Sequence, residues 1–168
     1  MERKGIALGG SILVDVINHI SSYPNLGSLS TISNVEQAVG GLVPNDSIDI
    51  KKIDSSIDVY AYGKVGSDEK GQYVLRVLKQ NNIDVSNIKI LDKGVTSFTQ
   101  VMSLDGGERT FFSHTGLSGD FGYDDIDFDS ITARIFHLGY FLLLDKVDSG
   151  DGLKILKKLK ELGTESSI

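Results

Sequence analysis

The sequence predicts an α/β domain built on a mostly parallel sheet, with one antiparallel hairpin standing off it as a lid. Short apolar, β-branched stretches alternate along the chain with segments of helical periodicity, the pattern of a sheet layered with helices. An Asp-Gly turn, Asp105-Gly106-Gly107-Glu108, joins two strand-like runs within 97–113. No repeat or composition shift divides the 168 residues, a length that suits one domain with a real core.

Residues 4–10 read as a buried strand, and 11–20 continue as an apolar run interrupted by Asp15, Asn18 and His19. A carboxylate in such a run is paired, hydrogen-bonded or working. Asp15 is therefore either a strand end facing water or a working group. Residues 21–37, rich in Ser, Asn and Gly, read as loop with at most one short strand. Then come two abutting glycines, Gly40 and Gly41, followed by Pro44-Asn45. Glycine allows positive φ and close backbone approach, and proline suits a first helical turn. The expectation is a tight turn into a helix N-terminus whose free N–H groups Asn or Asp satisfies. This is either a plain loop and cap or a place suited to polar ligands.

The first helix is expected over 45–54, with Ile48 and Ile53 inward. Asp58–Gly66 reads as a central strand. Asp68 caps a helix reaching about Asn81, with Val74, Leu75 and Leu78 as its apolar stripe. Strands follow at 88–91, 97–104 and 109–113. Asp124, Asp125, Asp127 and Asp129 lack the Gly and Glu of a calcium loop and read as solvated loop. His137, between Phe136 and Leu138, reads as a buried, hydrogen-bonded histidine. Ile135–Leu144 reads as an apolar strand. Asp148 to Gly152 reads as the acidic start of a helix over 152–162, with Leu153, Leu156, Leu159 and Leu162 on one side and Gly163 as its stop. The architecture then calls for another buried strand; Thr164 to Ile168 gives the expectation of a unit cut in mid-pattern.

A net charge of −6 argues against nucleic-acid binding through phosphates. No apolar run is long enough to span a membrane, and with no secretory leader the expected location is cytoplasmic. The absence of cysteine excludes disulfides, thiolate zinc sites and a Cys nucleophile. His19, His114 and His137 share no metal-ligand spacing, and neither a P-loop nor a G-x-G-x-x-G fingerprint is present.

Four segments in order resemble the N-terminal half of a ribokinase-like (PfkB) carbohydrate kinase. They are Ile6-Ala7-Leu8-Gly9-Gly10 with Val14-Asp15-Val16, Gly40-Gly41-Leu42-Val43-Pro44-Asn45, Gly63 to Gly71, and Thr96 to Thr110. The resemblance implies a ribokinase-like fold: a mostly parallel, Rossmann-like sheet flanked by helices, with a small antiparallel β lid drawn from about 11–37 and 95–115. It implies phosphorylation of a sugar or related alcohol with ATP and Mg²⁺, and possible homodimer formation through the lid. It implies substrate contacts from Asp15, Gly40, Gly41 and Asn45, with Phe98 and Gln100 as lid side chains that set specificity. The chain departs from the family at Thr115-Gly116-Leu117-Ser118-Gly119, which argues against a sugar-binding role for that loop. The family's catalytic segment, D-T-x-G-A-G-D, is not in the sequence. The expectation is therefore a substrate-binding half, inactive alone and a poor binder of ATP, with no catalytic residue of its own. The alternative expectation is a non-catalytic fragment that binds a sugar or a partner chain.

Overall fold

A computed structural model describes residues 3–168. Nine strands and three α-helices are assigned among them: β1 Ile6–Gly9, β2 Leu13–Ile20, β3 Ile32–Gly40, α1 Leu42–Ile53, β4 Val59–Gly66, α2 Glu69–Gln80, β5 Ile88–Leu91, β6 Ser97–Leu104, β7 Arg109–His114, β8 Ile135–Leu138, α3 Gly152–Glu161 and β9 Glu165–Ser167. The strands form two sheets. The five-stranded sheet has the order β5-β4-β1-β8-β9 and is parallel at every pairing. The four-stranded sheet has the order β3-β2-β6-β7, two antiparallel hairpins joined by a parallel β2–β6 pair.

Helices cover both faces of the parallel sheet, as buried parallel strands require. On one face α1 and α2 pack Leu42, Val43, Val74 and Leu78 against Leu8, Val59, Ala61 and Val65. Val74 and Leu78 are fully buried, and each contributes roughly 1.5–3 kcal/mol of transfer free energy. On the other face α3 and the segment 121–133 enclose Ala7, Tyr62, Phe136 and Leu138.

Several elements differ from the sequence reading. Residues 32–40 form a nine-residue strand, not loop. β3 pairs only with β2 at a sheet edge, so its polar residues stay in water and no alternation shows. The first helix starts at Leu42, and Ile53 is exposed while Ile48 and Ile50 pack inward. The last helix buries Ile155 and Leu159, with Leu153 exposed. Its Gly163 stop has φ 71°, with the N–H groups of Gly163 and Thr164 returning to Lys160 and Leu159. β8 ends at Leu138; Tyr140 and Leu142 then take positive φ, and the Asp148 carboxylate accepts from the N–H groups of Leu142 and Leu144. Asp148 thus closes this loop instead of capping a helix. His137 is partly exposed, its Nδ1 3.1 Å from the Ser167 hydroxyl.

Asp125 is not solvated. Its Oδ2 lies 2.8 Å from Lys64 Nζ, with both side chains below a tenth exposed. Lys64 also donates to the Asp120 carbonyl, and Lys89 reaches the other Asp125 oxygen. Asp68 ties α2 to the lid: it accepts from Gly71 N–H, from the Thr96 hydroxyl and from Thr96 N–H.

Both carboxyls titrate below the ordinary value. Burial alone pushes Asp68 up, but its bonds from Thr96 and Gly71 outweigh that. Burial likewise opposes, and the bonds from Lys64, Gly122 and Lys89 overcome it, at Asp125. A depressed folded value means that the unfolded chain binds the proton first. Each group thus contributes stability that is present above about pH 4 and lost as pH falls through the folded value. The urea midpoint is expected to drop progressively below about pH 4; a midpoint unchanged down to about pH 3 would contradict this assignment.

Candidate functional site

A cavity of about 340 Å³ opens between the lid sheet and the carboxyl ends of the parallel strands. Its size is at the small end for ligand pockets. β2 sends Leu13 and Asp15 into it, and β6, in parallel register, sends Ser97 and Thr99. β7 adds Phe111 and Ser113, the turn into α1 adds Gly41 and Asn45, and Tyr140 and Leu143 stand on the far side.

The wall at Gly40–Asn45 is built by close approach. A Cβ on Gly40 would lie 2.5 Å from Asp15 Oδ2, so the bare backbone leaves room for the carboxylate. Gly41 has φ 86° and ψ 167°, a region open essentially to glycine alone, and a Cβ there would meet the Ser11 carbonyl at 2.6 Å.

Ser11, not Asn45 or Asp46, caps α1. Its Oγ accepts from Leu42 N–H and its carbonyl from Val43 N–H, at 3.1 and 3.2 Å. The next residue is Pro44, which has no N–H, and Asn45 N–H already bonds Gly41 O inside the helix. The first-turn donors of α1 are therefore spent on the chain itself, and Asn45 is free to face the cavity.

Burial raises the Asp15 carboxyl above its ordinary value; Thr99 beside it lowers it, by less. A raised folded value contributes stability below the unfolded pKa that is lost as pH rises through the folded one. At neutral pH the ionised Asp15 therefore costs stability, which a ligand donating hydrogen bonds to it would recover.

The loop that departs from the family pattern is part of the site. Thr115 and Ser118 line the cavity. Ser97 Oγ donates to the Thr115 carbonyl and accepts from Ser118 N–H, while Ser118 Oγ bridges Ile12 N–H and Ile12 O. These serines lock the starts of β2 and β6 to the 115–118 loop. Residue type alone gave no signal for Ser11, Ser97 and Ser118; strand parity from Asp15 points to Leu13, and cross-strand pairing to Thr99.

Phe98 and Gln100 are not brought to the cavity. Side chains alternate along β6, so with Ser97 and Thr99 facing the site these two face away. Phe98 lies under Lys70 Nζ, 4.9 Å from its ring centre, and beside the His114 ring. Gln100 Oε1 accepts from Asn18 at 2.8 Å.

The residues described form no cluster preformed for a metal ion: no group of three or more carboxylates and histidines among them is placed to hold one. The N-terminus of α1 is occupied as above, that of α2 is capped by the Asp68 carboxylate, and Asp148 and Asp151 flank that of α3. The acidic cap of α2 repels phosphate.

A family model described as pfkB family carbohydrate kinase matches residues 4–167. A probable chloroplastic fructokinase-6 of Arabidopsis thaliana is 29% identical over 165 residues, covering 96% of this chain and 41% of the relative. The ATP-dependent ribose-1-phosphate kinase of Halopiger xanaduensis is 24% identical over 70% of this chain and 39% of its own. Among solved structures, Arabidopsis thaliana ribokinase complexed with ribose and ATP superposes with a TM-score of 0.81 at 18% identity, over 98% of this chain and 52% of that one. Xylella fastidiosa fructokinase with bound ATP gives 0.78 at 18% identity, over 98% and 50%. The chain spans about half the length of the curated relatives it matches. With the match running through both sheets and the cavity between them, this chain belongs to the pfkB family of carbohydrate kinases.

Proposed function

We propose that the cavity binds a sugar or related polyol as the acceptor of an ATP-dependent phosphoryl transfer, with these residues supplying the substrate-binding wall. The observation that carries this reading is the Asp15 carboxylate, seated over Gly40 and facing a cavity whose other polar lining includes Asn45 and the hydroxyls of Ser97, Thr99 and Ser113. A carboxylate accepts from two neighbouring sugar hydroxyls at once, and Asn45 both donates and accepts. Gly40 and Gly41 let a sugar lie against backbone. Leu13, Phe111, Tyr140 and Leu143 supply apolar surface for its C–H faces.

Asp15 binds and orients in this scheme, and no described residue is assigned as the base that takes the hydroxyl proton. The residues 1–168 alone are expected to bind sugar without transferring phosphate. Calorimetry against a panel of pentoses, hexoses and polyols checks the binding. Asp15→Ala should weaken the best ligand at least tenfold, the loss of hydrogen bonds to a charged group, and Gly40→Ala should weaken it similarly by displacing the carboxylate. ATP-dependent sugar phosphorylation above background, abolished by Asp15→Ala, would overturn the binding-only role.

Lid-to-lid pairing of two copies is the corresponding proposal for assembly. Ile32, Val35, Phe111 and Phe112 leave apolar surface on the lid about half exposed. Sedimentation velocity at micromolar concentration is expected to show a dimer that Phe112→Ser converts to monomer; a monomeric wild type refutes the pairing.

A further inference from the structure

We propose that the cavity selects an uncharged polyol and rejects phosphate esters of the same sugar. This rests on the reading of the cavity as a sugar site. Relatives of this chain include kinases named for free sugars and one named for ribose 1-phosphate, so membership of the family leaves the charge of the substrate open. The cavity wall itself decides it.

A phosphate group needs cationic side chains or free backbone N–H groups. The N-terminus of α1 borders the cavity and is the natural place for such donors. Its N–H groups are already used: Leu42 and Val43 donate to Ser11, Pro44 has none, and Asn45 donates to Gly41. Among the described residues the ionisable ones on the lining are Asp15, His114 and Tyr140, and none is a lysine or arginine. His114 is drawn to the opposite face of the lid, its ring 5.3 Å from that of Phe98. Lys70 is held over that same ring and does not line the cavity.

The remaining charge is the Asp15 carboxylate. It faces a small, partly desolvated space, where like charges repel far more strongly than in water. An ester of the sugar brings a second anion into that space with no cation to receive it. The hydroxyls of Thr99 and Ser113, 3.3 Å apart, suit neutral hydroxyl partners.

The test uses matched pairs against the chain as it stands, read by ligand-observed NMR, which detects millimolar dissociation constants. The pairs are fructose with fructose 6-phosphate and ribose with ribose 1-phosphate. The free sugar of the better pair is expected to bind at least tenfold more tightly than its ester, a difference of about 1.4 kcal/mol. A Ser113→Lys variant places a cation on the wall at an exposed strand position. It is expected to reduce the free-sugar-to-ester ratio at least fivefold. An ester that binds as tightly as its free sugar overturns the charge selection while leaving the sugar site standing. An unchanged ratio in Ser113→Lys overturns the electrostatic cause. If no member of either pair binds, the sugar-site reading falls, and the selection with it.

Discussion

Replacement of Lys64 by Met is expected to destabilise the chain by about 3 kcal/mol, the usual cost of stripping one partner from a buried ion pair. Lys64 rises from the interior strand β4 and meets Asp125 at 2.8 Å. The variant leaves Asp125 buried, with only the half-exposed Lys89 as counter-charge. The apolar Met side chain also abandons the Asp120 carbonyl that Lys64 holds. A loss of this size lowers the melting temperature by roughly 6–12 °C for a chain of this length. Lys64→Met with Asp125→Asn should recover a large part of it, because the uncompensated charge is gone while an acceptor for Gly122 N–H remains. Urea unfolding of the two variants checks both statements. A single-variant change below about 1 kcal/mol would mean that the pair is not desolvated as described.

The consequence reaches the cavity. The segment clamped by Lys64 follows directly on the 115–118 loop, whose Ser118 holds Ile12 at the start of β2. Loosening residues 120–125 therefore loosens one side of the cavity. Sugar affinity in Lys64→Met is expected to fall even though Lys64 does not line the site.

Gly41→Ala is expected to cost about 2–4 kcal/mol, combining a backbone conformation that L-residues avoid with a clash against backbone atoms. The Cβ would meet the Ser11 carbonyl at 2.6 Å and its carbon at 2.9 Å. Backbone atoms there cannot swing away as the end of a side chain can. Ser11 must move, and it carries the cap of α1 with it, freeing Leu42 and Val43 N–H groups in a buried place. Sugar binding should be lost together with stability. Gly40→Ala separates the two effects, since the atoms it meets are the flexible ends of Asp15 and Leu13 and not backbone: affinity should fall with a much smaller change in the unfolding midpoint. Equal stability losses in both variants would remove the distinction drawn between them.

The α/β class, the Asp68 cap, the Val74–Leu78 stripe and the Asp-Gly hairpin were all readable in the sequence. Each depends on local chemistry: a carboxylate reaching its own helix N-terminus, apolar residues at helical spacing, glycine at a turn. The four ordered segments likewise marked Asp15, Gly41 and Asn45, which the structure gathers around one cavity. What misled the reading was local sequence whose meaning depends on distant partners. β3 looks like loop because only β2 pairs with it and its side chains stay wet. The leucine-rich 139–144 looks like strand, yet Asp148 folds it into a loop with left-handed residues. Asp125 looks like one acid among four solvated ones, and its partner Lys64 lies in a strand far earlier in the chain.

The cavity shows the same division most clearly. From residue types alone Phe98 and Gln100 are as eligible as Ser97 and Thr99, because all four belong to one strand. Alternation requires that one pair face the site and the other face away, but it does not say which. The pairing of β2 with β6 makes that choice by placing Thr99 opposite Asp15. Likewise, sequence marked a helix N-terminus at Gly40–Asn45 as a place for a polar ligand, whereas the fold brings Ser11 across to use its donors. The sequence by itself determined the fold class, most of the elements and the family, and singled out Asp15 as the candidate acid. The tertiary structure alone decided which face that acid shares and which helix donors remain free, because those properties belong to pairs of residues distant in the chain.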